Sequence, residues 1–236
     1  MFRIRLVLLS ALVVLVAGMV MSASASATPR WLICEKVGKE KGKYKTDECK
    51  EEGGSKEWEK EPIRVGEEQS LIGEGGESKL ETSGLTIKCS NDETFGNLQD
   101  FGQAEYPIDF VSCKVVGHTE CTVSKDVWFV KGELVGTILE ETGGSSTTLV
   151  LTLEPGSEFT ISGSSCTLKK TTTLKGKLTC QIPNLTVMKD EHEIVCKPSG
   201  SEIESESEGE KAKGIKFTNT ERVWLSDVEK VWWGAE

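Results

Sequence analysis

Histidine occurs only twice in the 236 residues, at positions 118 and 192, and that scarcity closes most routes to nucleophilic chemistry. A serine or cysteine nucleophile needs a base, which is almost always histidine. Neither His118 nor His192 stands near a G-x-S-x-G turn, and the SGSS that precedes Cys166 reads as a loop. Tight C-x2-C pairs of the kind that hold structural zinc are missing as well, and so is a glycine-rich phosphate loop. No segment carries apolar residues at helical spacing over three turns, which leaves helix a minor element. An excess of basic residues is absent too: 28 Lys and Arg stand against 38 Asp and Glu, a balance that repels nucleic acid and anionic lipid. The sequence therefore assigns no catalytic residue, no metal ligand and no cofactor.

The one long apolar run is at the start. MFRIR, then LVLLSALVVLVAGMVM, then SASASA give a short basic region, an apolar stretch and small residues in A-x-A style. That order is a secretory signal peptide over residues 1–27, with cleavage expected after Ala27. Nothing later in the chain is apolar enough to span a membrane, so no membrane association is expected after cleavage. Loss of Arg3 and Arg5 with the leader takes the net charge from −10 to about −12.

All eight cysteines (34, 49, 89, 113, 121, 166, 180 and 196) follow the leader. An even number beyond a signal peptide reads as a disulfide framework, since oxidising compartments close thiol pairs. Eight cysteines allow 105 pairings. The expectation adopted is Cys34 with Cys49, Cys89 with Cys113, Cys121 with Cys166 and Cys180 with Cys196. The stretch VSCKVVGHTEC (111–121) holds Cys113, His118 and Cys121 in metal-like proximity, but C-x7-C around one histidine is poor ligand spacing. It is read as part of the staple, with His118 an exposed turn residue.

Residues 28–62 balance nine basic against nine acidic residues and carry W-x2-C-x9-Y-x4-C-x8-W. Their few large side chains could not bury a core alone, so a small Cys34/Cys49 module is expected there, a stapled hairpin with flanking aromatics. Residues 63–78, with Gly66, Gly73, Gly75 and Gly76, read as a glycine-rich connector on which that module moves. From 79 to 236 the pattern changes to short runs rich in Thr, Val, Ile, Leu and aromatics, parted by Gly, Ser, Asn and Pro clusters every 8 to 15 residues or so, the signal of an all-β sandwich or barrel. Alternation is cleanest at Leu149, Leu151 and Leu153, with a hairpin turn at Gly143 and Gly144. The fold class is mainly β: an antiparallel sandwich or barrel-like domain with the small N-terminal hairpin module.

Acidic residues are too numerous for a glycosidase pair to be read from them, and Asp109, between Ile108 and Phe110, should face solvent. SEIESESEGE (201–210) places Glu202, Glu204, Glu206 and Glu208 at period two, without the turns that would arrange oxygens around calcium; it reads as a solvated edge or loop. CSNDET (89–94) is equally rich in oxygen and equally poor in ligand spacing. Trp128, Trp224, Trp232 and Trp233 could form a contact platform. Because Trp232 and Trp233 are neighbours, one points inward and the other outward in a strand, and Trp233 is taken as the outward one, a candidate binding surface.

The N-terminal W-x2-C, G-K-Y and D-E-C, then LTIKC, FVSC, the second cysteine at 121, GSSCTL, LKGKL and the terminal WGAE resemble a group of secreted proteins numerous in soil actinobacteria of the Solirubrobacter type. The resemblance implies export and a cysteine-stapled β fold, and carries over no functional residue. The expectation is a secreted, non-catalytic protein that binds an extracellular or cell-wall partner or builds the cell exterior. The rival is a secreted hydrolase of the carboxylate-based, glycoside hydrolase-like kind.

Overall fold

Period-two alternation runs through the long strands of this computed structural model, which describes residues 29–54, 56–82, 84–124, 127–139, 144–226 and 231–236. In β11 (Ser145–Leu153) every odd residue is buried and every even one half-exposed, so Leu149, Leu151 and Leu153 enter the core. In β15 (Glu210–Leu225) the inner face is Ile215, Phe217, Asn219, Glu221, Val223 and Leu225. Among the described residues a single 3₁₀ turn, Asp100–Gly102, is the only helical element. The expected leader, 1–27, and the expected turn at Gly143 lie outside the described residues.

Eight strands close into a ring in the order β3 (Gln69–Gly75), β6 (Asn91–Leu98), β7 (Gln103–Val111), β10 (Val127–Leu139), β11, β13 (Lys170–Pro183), β14 (Glu191–Ser207) and β15, which returns to β3. A second ring shares β13, β14 and β15 and adds β12 (Glu158–Ser162), β9 (Thr122–Ser124), β8 (Lys114–Val115), β5 (Thr86–Cys89) and β4 (Ser78–Glu81), the last paired with β15. The fold is therefore mainly β and barrel-like, with two antiparallel rings along three shared strands. Closure leaves no long free edge in either ring, which removes the template for edge-to-edge association.

The shared strands bend where they pass from one ring to the other. Register shifts fall between Leu178 and Cys180 and between Cys196 and Ile203. Gly176, at φ +122°, lies so close to β14 that a Cβ there would stand 2.2 Å from the Glu202 carbonyl oxygen; only glycine fits. Just beyond, Cys180 and Cys196 are direct cross-strand partners and are joined by a disulfide.

The other disulfides are Cys34–Cys49, Cys89–Cys113 and Cys121–Cys166, so the four expected pairs are the four present and no cysteine is free. Four intramolecular bridges mark a chain that matures in an oxidising environment. An aromatic cluster joins strands of the first, larger ring: Trp128 of β10 lies 4.7 Å from Phe110 of β7 and 5.1 Å from Phe217 of the shared β15, centroid to centroid.

The connector expected at 63–78 is corrected. Residues 69–75 form β3, paired with β6 on one side and β15 on the other, in the wall of the larger ring. The reason lies in the two glycines that made the segment look flexible: Gly73 and Gly75 are in strand conformation, and their missing side chains make room for neighbours.

The N-terminal hairpin is present, with β1 (Trp31–Lys36) paired to β2 (Trp58–Pro62), but it is not a separate unit. β1 also pairs with the C-terminal β16 (Trp233–Ala235). One face of β1, Trp31 and Ile33, joins the main core. The other, Leu32 and Cys34, makes a small core with Tyr44, Cys49 and Met188. The indole of Trp31 donates to the Gln103 carbonyl at 2.7 Å, which ties the hairpin to β7.

Candidate functional site: an acid cluster behind an apolar row

The wall made by β15, β3, β6 and β7 carries different chemistry on its two faces, because successive side chains of a strand point to opposite sides. On β6, Asp92 and Thr94 are fully buried while Glu93 and Phe95 are exposed.

On the inner face Asp92 and Glu221 approach each other from β6 and β15, and both register against Gly75 of the intervening β3. A Cβ on Gly75 would lie 2.2 Å from Asp92 Oδ1, and one on Gly73 would lie 2.4 Å from Glu221 Oε1. The intervening strand is thus bare backbone where the carboxyls sit. Asn219 donates through Nδ2 to Asp92 Oδ2 at 3.4 Å. Burial pushes the Glu221 carboxyl up to about 8, and the nearby Asp92 adds to the rise. The Thr94 hydroxyl beside Glu221 tempers that shift without making a hydrogen bond of normal geometry. Burial likewise raises Asp92 to about 6, against the pull of Asn219. The phenol of Tyr106, on the inner face of β7, is held well above its ordinary range by burial and by both carboxyls. Groups with such shifts are the usual marks of a site, yet Asp92 and Glu221 are 0 % and 2 % exposed. No substrate reaches them in this conformation.

On the outer face Phe95, Pro107 and Phe129 stand side by side across β6, β7 and β10, since Phe129 registers against Pro107 and the β6–β7 register carries Phe95 to the same row. Ile72 of β3 and then Trp224 of β15 continue it, both half-buried. Phe95 and Phe129 are 56 % and 48 % exposed, a large amount for phenylalanine on a folded surface. The row on one side is mainly acidic, with Glu74, Glu93 and Asp109 ending at Arg222, and the row on the other sets Glu105 against Lys131. None of these four carboxylates has an ion pair among the described residues, whereas many other surface acids do, such as Glu154 with Lys131 and Glu204 with Lys213.

The residues singled out in the sequence fall elsewhere. Trp233, taken as a binding surface, is 1 % exposed and is corrected to a core residue. It packs on Trp31 and His192, and its indole donates to the Asp190 carbonyl. The outward member of the pair is Trp232, which is half-buried under Lys50, whose ammonium stands 3.9 Å from the ring centroid. Trp128 is buried as well. His192 is enclosed, donates through Nε2 to the Trp233 carbonyl at 2.9 Å, and has its pKa held down to about 4 chiefly by burial.

His118, Glu120 and Cys121 come together, but the Cys121 sulfur is bonded to Cys166, which leaves His118 Nδ1 and Glu120 at 3.1 Å as a half-exposed pair on a turn. Around them a surface groove of about 650 Å³ runs past the Cys89–Cys113 bridge, with Lys88, Lys114 and His118 on its walls and Glu77 as its one acid. A pair of carboxylates for glycoside hydrolysis does not line it. Glu202, Glu204 and Glu206 lie on the solvent side of β14, where Glu204 pairs with Lys213 at 2.9 Å and Glu206 with Lys211 at 3.8 Å.

The fold and these faces define a disulfide-braced, barrel-like β protein. Comparison with family models, with curated proteins and with solved structures gives no match.

Proposed function

We propose that the protein is exported and acts by binding, with the row Phe95, Pro107 and Phe129 as its contact face and a protein with a basic-rimmed apolar surface as its partner. The observation that carries the proposal is a single row with two well-exposed phenylalanines, flanked by four carboxylates that have no ion pair among the described residues. Protein interfaces are built that way, with aromatic anchors at the centre and a polar rim that steers and orients the partner. The wall beneath is rigid because each of its strands is paired on both sides, which spares the ordering cost of binding. The signal-like N-terminal sequence and the four disulfides support export, and the cell exterior is where the partner is sought.

The test is affinity capture on the immobilised mature chain from culture medium of the producing cells, beside a Phe95→Ser/Phe129→Ser variant. The proposal expects a protein that wild type retains, the variant loses, and about 0.5 M salt releases by screening the carboxylates. Equal capture by both, or enrichment of polysaccharide in place of protein, overturns it.

A further inference from the structure

Five oxygens converge inside the larger ring with no hydrogen-bond partner among the described residues: Asp92 Oδ1, Glu221 Oε1, Asn219 Oδ1, Thr94 Oγ1 and the Tyr106 hydroxyl. Each belongs to a side chain at least 97 % buried. The strands bring them together by simple arithmetic: Thr94 is two residues from Asp92 on β6 and Asn219 two residues from Glu221 on β15, so each pair shares the inner face. Asp92 and Glu221 meet across Gly75, and Asn219 bridges to Asp92.

Leaving a buried polar atom unmatched costs about 1–3 kcal/mol, and buried carboxylates are normally paired or bound to a metal. Here neither carboxyl has a lysine or arginine partner among the described residues. The atoms left over are all oxygens, with no imidazole nitrogen or thiolate, and that donor set suits a hard cation rather than zinc or copper. Two carboxylates balance the charge of a divalent ion. With one or both carboxylates bidentate, the set reaches the six or seven oxygens that calcium takes, whereas magnesium would keep several waters that this enclosed place does not favour.

We propose that Asp92, Glu221, Asn219, Thr94 and Tyr106 form a calcium site inside the barrel wall. The paired glycines fit the assignment, because any side chain at 73 or 75 would occupy the carboxyl positions. The site is closed on the solvent side, so the ion enters as the chain folds and its binding energy becomes folding energy. Calcium then braces β6, β3 and β15 directly behind the exposed row, and the proposal stands whether or not that row binds a protein.

The experiment uses the oxidised mature chain, stripped with chelator during refolding and then titrated with calcium, with metal content and thermal midpoint as readouts. Expected are one calcium per chain and a midpoint that rises by several degrees toward millimolar calcium. Asp92→Asn/Glu221→Gln should bind none and show a calcium-independent midpoint. Glu202→Gln/Glu206→Gln, on the outer face of β14, should take up calcium as wild type does, and Asn219→Asp should bind calcium several-fold more tightly. A wild type that takes up no calcium overturns the proposal, as does a calcium shift that persists in Asp92→Asn/Glu221→Gln or vanishes in the outer-face variant. If the double variant does not fold, wild-type stoichiometry and the Asn219→Asp affinity decide.

Discussion

Trp31 and Trp233 pack with ring centroids 5.9 Å apart, joining the first described strand of the chain to the last. Their strands are hydrogen-bonded neighbours, with Trp31 in register with Ala235 and Ile33 with Trp233. The first and last described strands are therefore neighbours in one sheet, and the β1–β2 hairpin is held by β16 as well as by its own disulfide.

Trp233→Ala should destabilise the fold by about 3–5 kcal/mol, the range for truncating a fully buried aromatic. Trp232→Ala removes a half-exposed ring and its contact with Lys50, which is worth about 0.5–1 kcal/mol. Denaturant unfolding of the two variants should separate them clearly. Equal losses would mean that the burial of the pair has been misassigned.

His192 makes stability depend on pH. Its folded pKa of about 4 lies below the ordinary value of 6.5, so the unfolded chain binds the extra proton first and protons favour unfolding. The contribution is complete above about pH 6.5 and is lost progressively down to about pH 4, a loss on the order of 3 kcal/mol. His192→Gln, compared with wild type at pH 7 and pH 4.5, should flatten that part of the stability curve. An unchanged slope would show that the imidazole is not enclosed as described.

Strand β3 should be among the most protected parts of the chain. With partners on both sides, the amides of Leu71 and Gly73 should exchange only through large openings of the ring. The turn around Val65, which is 77 % exposed, should exchange and be cut by protease first. Rapid exchange across 69–75 would restore the picture of a flexible connector.

Removal of the Cys34–Cys49 bridge by paired serine substitution should cost about 3 kcal/mol for a loop of this length, while thiol titration of the denatured, unreduced wild type should find no reactive cysteine. Because β1 is also held by β16, the variant should keep its fold at moderate temperature. Global unfolding on loss of this one bridge would show that the hairpin depends on its staple alone.

The core was legible in the sequence where alternation is strict and both faces obey hydropathy, as at Leu149, Leu151 and Leu153. β3 was not, because Gly73 and Gly75 signal flexibility locally, and their purpose is visible only once Asp92 and Glu221 are beside them. The same strict alternation does run through FTNTERVWL: Phe217, Val223 and Leu225 share a face with Asn219 and Glu221, which marks Glu221 as an inward acid. Its partner Asp92 is 129 positions away in the chain, so no spacing rule could join them. The outer row is hidden for a related reason. Phe95, Pro107 and Phe129 become neighbours only through the registers of β6, β7 and β10, which short-range pattern does not encode.

The central claim, that the Phe95 to Phe129 row is the contact face, is tested most directly by photocrosslinking. A benzophenone side chain is placed in turn at Phe95, at Phe129 and at Val135, which is equally exposed and lies farther along β10. With culture-medium protein present, adducts to one species should form from positions 95 and 129 and not from 135, and should fade as salt is raised. Adducts of equal yield from Val135, or none from either phenylalanine position, would contradict the account.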